Sequence, residues 1–119
     1  MVLSRNGYIL KELPSSLFKN LTKLKTVNLP SSLTKIGSDC FSGCSALTTI
    51  TIPINVVEIG RNCFGNSGLT SATFTDFNAE WYYNSASTFK VDDSAINAAR
   101  LLGTGDYSAS AYNDMKKKQ

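Results

Sequence analysis

The chain has 119 residues, 42% of them hydrophobic and 18% charged, enough apolar material for one buried core and too much for a disordered chain. It contains no histidine, so the usual near-neutral general base and the commonest metal ligand are missing, which weakens most hydrolytic and metal-dependent mechanisms. The formal charge of +3 is carried by Lys116, Lys117 and Lys118, the other basic residues being matched by nine acidic ones; a balanced body lacks the basic stripe that nucleic acid requires, so no nucleic-acid partner is expected.

Residues 1–7 lack a basic start followed by an apolar run, so no secretory signal is visible there, and no stretch reaches the roughly 20 apolar residues of a membrane span. From Tyr8 onward the chain repeats itself. Leu10-Lys11-Glu12-Leu13, Leu33-Thr34-Lys35-Ile36 and Val56-Val57-Glu58-Ile59 follow one another at steps of 23 residues. Leu17-Phe18, Cys40-Phe41 and Cys63-Phe64 keep the same spacing. A deletion of one residue then shortens the last step, because Leu24 and Leu47 are 23 apart but Leu47 and Leu69 only 22. Three repeats result, at 8–30, 31–53 and 54–75.

Within each repeat Val27-Asn28-Leu29, Ile50-Thr51-Ile52 or Ala72-Thr73-Phe74 alternates apolar with polar, the period-2 signature of a strand with one buried face. Pro30 and Pro53 end the first two of these strands, since proline cannot donate the next ladder hydrogen bond. The pairs Leu10/Leu13, Leu33/Ile36 and Val56/Ile59 predict a second short extended stretch on the opposite side. Gly43, Gly65-Asn66 and Gly68 mark the turn between the two, where positive φ is allowed. A single unit cannot enclose its own leucines, but stacked units bury equivalent positions as columns, which predicts a solenoid. Phe18–Phe41–Phe64, Leu13–Ile36–Ile59 and Leu24–Leu47–Leu69 are three such columns.

Residues 76–119 leave the period. Trp81-Tyr82-Tyr83 reads as an aromatic segment, and residues from Asp93 or Ser94 to Gly103 read as a short helix with capping residues at both ends. This part is expected to cap the last repeat within the same domain, while the terminal lysines form a solvated end. No comparable cap precedes Tyr8, so the first repeat is expected to present an exposed edge.

Cys40 and Cys63 share a slot with Leu17, and Cys44 shares one with Leu21. Slots that accept leucine are core slots, where a free cysteine behaves as a small hydrophobe; with no Cys-x-x-Cys and no histidine, structural zinc is not expected. Serines and threonines are plentiful but have no histidine to activate them, and Asp92-Asp93 before a helix reads as capping, so no catalytic, metal or cofactor-binding residues are assigned. The candidate partner-binding residues are the outward rows Thr26, Thr49, Ser71 and Asn28, Thr51, Thr73, together with Lys25, the charge nearest to them, and the aromatic residues Trp81, Tyr82 and Tyr83.

Residues 29–53, Leu-Pro-Ser-Ser-Leu-Thr-Lys-Ile-Gly-Ser-Asp-Cys-Phe-Ser-Gly-Cys-Ser-Ala-Leu-Thr-Thr-Ile-Thr-Ile-Pro, resemble the BspA-type leucine-rich repeat, and the resemblance covers 8–75. The first repeat departs from that pattern with Pro14 at the glycine position and Leu21 at the cysteine position. The third has Ser67 near the cysteine and no closing proline. The tail is similar to endings on spirochaete members. The fold class implied is an α/β leucine-rich repeat solenoid, predominantly β, of three parallel coils of 22–23 residues with a short C-terminal helical cap. The resemblance implies a non-enzymatic protein-binding module using its concave polar sheet, adhesin-like and located at the cell surface or secreted, with a host matrix protein as one partner. The absence of a visible signal leaves a cytoplasmic location open. The alternative expectation is a self-associating scaffold, a homo-oligomer formed through the uncapped first repeat.

Overall fold

The second member of each apolar pair at 10–13, 33–36 and 56–59 lies in a two-residue strand. The computed structural model describes residues 10–84, 87–104, 107 and 113–119. In it β1 (Glu12–Leu13), β2 (Lys35–Ile36) and β4 (Glu58–Ile59) pair in parallel. Glu12, Lys35 and Glu58 lie side by side, as do Leu13, Ile36 and Ile59, so the spacing in the chain is the register of the sheet. The apolar member of each strand is buried.

The alternating segments form a second sheet, in which β3 (Thr49–Ile52) runs parallel to β5 (Ser71–Phe74). Ile50 and Ile52 turn inward opposite Ala72 and Phe74. Burying a large aliphatic or aromatic side chain in this way stabilises by about 1.5–3 kcal/mol. The strand expected at Val27–Leu29 is reduced to one bridge residue, Asn28.

Two left-handed positions per repeat shape the turns. Ser16, Asp39 and Asn62 have φ of 63°, 58° and 56°, and Asn20, Gly43 and Asn66 have 63°, 77° and 57°. Asn and Asp tolerate this region because their short polar side chains bond locally, and Asn62 Nδ2 donates to Asp39 Oδ1 at 2.7 Å. Gly65 and Gly68 were expected to serve positive φ and do not. They are small because a Cβ would collide with Asn62 Oδ1 in the first case and Ser45 O in the second.

Across the turns each repeat donates to the next: Phe18 N–H to Cys40 O at 2.9 Å and Phe41 N–H to Cys63 O at 2.8 Å. Along the strands donation runs the other way, from Gly37 N–H to Leu13 O at 2.8 Å and from Gly60 N–H to Ile36 O at 2.7 Å. Side chains from both sheets and the turns between them form one core, with the rings of Phe18, Phe41 and Phe64 stacked through it.

The C-terminal part joins this frame at two places. A hairpin of β6 (Glu80–Asn84) and β7 (Ser87–Lys90) is linked to β4 by β8 (Met115–Lys117), which runs antiparallel to both β4 and β6. The six-stranded order is β1-β2-β4-β8-β6-β7. Lys116 and Lys117 therefore lie in a strand, and Lys117 is half-buried while Lys116 and Lys118 stay exposed. Met115 is buried opposite Ile59, Lys117 Nζ meets the Asp76 carboxylate at 2.5 Å and Ile54 O at 3.0 Å, and Lys118 meets Glu80 at 3.1 Å.

Helix α1 (Ser94–Leu102) starts at Asp93, whose side chain accepts from Ala95 N–H and Ile96 N–H, and ends at Gly103 in the left-handed region. It packs on β5, where the buried Asn97 donates to Ala72 O at 3.0 Å. Among the described residues no helix is long and apolar enough to cross a membrane.

Candidate interaction surface

Every second residue of β3 and β5 faces away from the core. The pairing sets Thr49 beside Ser71 and Thr51 beside Thr73, at the inter-strand distance of about 4.8 Å. Thr49, Thr51 and Thr73 are exposed and Ser71 is half-buried. Thr26 and Asn28 are exposed on either side of the buried Val27, and Lys25 is exposed just before them. The polar residues named from the sequence thus lie on the outer side of the strand positions whose apolar partners build the core. Threonine suits such a surface because its branched Cβ fits a strand while its hydroxyl bonds outward.

The three aromatic residues are on the other sheet. Trp81, expected among the surface contacts, is only 2% exposed. Its ring packs edge-on against Phe74 with centroids 5.6 Å apart, so it fills the core beside the last repeat and offers almost no exposed surface. Tyr83 is half-buried near Phe89. Tyr82 is exposed on β6 opposite Lys116 and Thr88.

A groove of about 360 Å³ opens where the polar rows end, walled by Asn28, Leu29, Thr51, Pro53, Ile54 and Thr75. Sequence reasoning missed it, because Pro53 reads as a strand stop and Ile54 as an ordinary apolar residue. Half of Ile54 remains exposed, and its backbone is held by Lys117 from β8, a long-range contact with no local signal. The one clue is that an isoleucine follows the proline here where the first repeat has Ser31.

The three thiols are free and buried. Burial raises Cys40 to about 11 from the ordinary value of 9.0 and lifts Cys63 well above that value; it also raises Cys44, whose Sγ donates to Phe18 O at 3.1 Å. Protonated thiols away from solvent are poor nucleophiles and poor ligands.

Residues 7–94 match the family described as "BspA type Leucine rich repeat region (6 copies)". The chain belongs to the BspA-type leucine-rich repeat family. The match runs past the last repeat, through β6 and β7, to Ser94. Among solved structures the chain is similar to the crystal structure of a leucine-rich cell surface protein from Faecalibacterium prausnitzii A2-165, with 27% identity and a TM-score of 0.60. The similarity covers 78% of this chain and 26% of that one, so the chain spans about a quarter of that protein. No curated protein matches the chain. In this BspA-type chain the Phe of the repeat motif is the stacked core column, and the Leu-Thr-x-Ile-x-Ile phrase supplies both the buried face of β3 and the exposed threonines.

Proposed function

We propose that this chain is a short leucine-rich repeat solenoid of three coils, closed at its C-terminal end by residues 76–119, that binds other proteins and catalyses no reaction. The observation that supports this most directly is the register of β3 and β5, which sets Thr49 and Thr51 beside Ser71 and Thr73 as outward rows in a BspA-type repeat. Thr26, Asn28 and Lys25 extend the rows across the first repeat, and the groove beside Thr51 gives a partner's side chain a place to enter. A cell-surface or secreted location with adhesin-like contact to a host matrix protein is in keeping with the similarity to a leucine-rich cell surface protein.

Three strand positions at about 4.8 Å spacing span little more than about 10 Å, so the rows alone make a small interface and a weak complex. Self-association through the first repeat is the weaker reading. Its edge strand β1 is followed by Pro14, which has no N–H to offer a further parallel neighbour.

The test is binding of the full chain to immobilised extracellular-matrix proteins, with and without Thr49→Lys and Thr51→Lys, folding being checked by circular dichroism. Loss of binding by a folded double variant supports the rows as the contact surface. Undiminished binding by that variant excludes them.

A further inference from the structure

Three slots in the first repeat carry larger side chains than the same slots in the two repeats that follow. Gly37 and Gly60 each press against the repeat before them: a Cβ on Gly37 would lie 2.5 Å from Ser15 N, and one on Gly60 would lie 2.6 Å from the carbonyl carbon of Gly37. Each also donates its N–H back to that repeat. The first repeat has Pro14 in this slot, with a ring in place of the space and no N–H. The second slot holds Ser42 and Gly65, both buried, but Lys19, exposed, in the first repeat. The third holds Ala46 and Gly68, and in the first repeat Lys23, again exposed. A proline and the charge of Lys23 thus stand in slots where Gly37, Gly60 and Gly68 leave room for the preceding repeat, the kind of feature that protects strand edges from pairing.

The face is nevertheless not a plain polar end. Leu17 and Leu21 are 47% and 43% exposed, in slots that the second repeat fills with the buried Cys40 and Cys44. Next to them in the chain Lys19 and Lys23 are exposed, and among the described residues neither makes an ion pair. An apolar centre with a charged rim is the anatomy of a protein interface.

Among the described residues most carboxylates already have partners. Glu58, Asp76 and Glu80 are paired with Lys35, Lys117 and Lys118. Asp39 bonds Asn62, Asp114 accepts from Arg61 N–H, Asp92 from Asp93 N–H, and Asp93 caps α1. Glu58 raises the pKa of Lys35, and Glu12, paired beside Lys35 in the sheet, adds a smaller part.

We infer that the free face of the first repeat is a docking surface for an acidic protein segment carrying apolar side chains, and is closed to stacking by another repeat. This surface is separate from the threonine rows and stands whether or not they bind a partner.

The test uses the full chain and a soluble synthetic peptide of glutamates with two spaced leucines, followed by fluorescence anisotropy. Binding is expected to weaken with added salt, to fall at least about tenfold in Lys19→Glu/Lys23→Glu, as expected when rim charges are reversed, and to fall in Leu17→Ser/Leu21→Ser. The Thr49→Lys/Thr51→Lys variant is expected to bind as the parent does, which separates this surface from the rows. The lysine surface is exposed, so the charge-reversed variant is expected to keep the parent's melting temperature.

Four outcomes would overturn the inference. The first is equal binding by the charge-reversed chain, and the second is equal binding of a peptide with lysine in place of glutamate. The third is capture by phosphatidylglycerol vesicles with no binding of the peptide. The fourth is a mass that rises with concentration in light scattering and drops in Lys19→Glu/Lys23→Glu.

Discussion

Phe41 and Phe64, 23 residues apart in the chain, lie face to face with ring centroids 5.3 Å apart and planes inclined by 8°. Phe18 continues the stack at 5.4 Å from Phe41, but it is only partly buried, since among the described residues no ring covers it from the other side. The cost of truncation should follow this order. Phe41→Ala is expected to lower the free energy of unfolding by about 3–5 kcal/mol, the range for a buried aromatic residue, and Phe18→Ala by clearly less. Chemical denaturation of the two variants checks this, and equal losses would mean that the middle of the stack is no better packed than its end.

Gly60 and Pro14 occupy one repeat slot with opposite requirements. A Cβ on Gly60 meets backbone atoms of Gly37 and Ser38, and backbone cannot turn aside as a side chain can. Gly60→Ala is expected to cost about 1–3 kcal/mol, as overpacking does. Pro14→Gly meets no such contact, and its effect is limited to the about 0.4–1 kcal/mol of freedom returned to the unfolded chain. Urea midpoints of the two variants decide the matter; a neutral Gly60→Ala would contradict the close approach.

The buried thiols give stability a direction with pH. Below the ordinary value of 9.0, folded and unfolded chains both hold their thiol protons. Above it the unfolded chain releases them, while Cys40 keeps its proton until about 11 and Cys63 is also raised well above 9.0 by burial. The unfolded state then gains, so stability is complete below the unfolded value and declines as pH rises through this window. The urea midpoint is expected to fall from about pH 8 to about pH 10, and Cys40→Ala/Cys63→Ala is expected to flatten that fall. A thiol reagent should modify the chain only after denaturant is added.

The parts of this fold that were legible in the sequence are those in which one repeat predicts the next. The Phe column, the pairing of Leu13 with Ile36 and Ile59, and the polar rows on β3 and β5 all follow from equal spacing, because stacked units must place like beside like. Helix α1 was legible from its caps, Asp93 and Gly103.

Contacts between distant segments were not legible. Met115 is the lone apolar residue of β8, too short a signal for a strand, and its partner Ile59 lies far back in the chain. Trp81 looks alike on a surface or in a core until Phe74 is seen beside it. Pro14 was visible as a departure from the family pattern, but its meaning depends on the N–H that Gly37 donates at the same slot.

Trp81 also carries a prediction. Its indole N–H is buried with no hydrogen-bond partner among the described residues, so removing that group forfeits no bond while the ring packing against Phe74 is what holds the residue. Trp81→Phe keeps an aromatic ring against Phe74 and opens only a small cavity, so it is expected to cost clearly less than Trp81→Ala, which should cost about 3–5 kcal/mol. Thermal melts of both variants provide the comparison. A Trp81→Phe loss as large as that of Trp81→Ala would show that contact with Phe74 is not what holds the residue.

Asn97 joins the helix to the last strand of the repeats. Its amide donates to Ala72 O at 3.0 Å and to Asp92 O at 2.9 Å, and accepts from Asp92 N–H at 2.9 Å. In Asn97→Ala the groups at the exposed Asp92 can turn to water, but the carbonyl of the buried Ala72 cannot. One buried acceptor left without a donor costs about 1–3 kcal/mol, and the missing side chain adds to that. Asp93→Ala removes a cap at the exposed start of the same helix, worth about 1 kcal/mol. Asn97→Ala is therefore expected to destabilise more than Asp93→Ala and to increase hydrogen exchange in β5 as well as in α1, since it opens the contact between them. If Asp93→Ala is equally harmful, or if exchange rises in α1 alone, then Asn97 does not couple helix to sheet and the last strand is protected by apolar packing only.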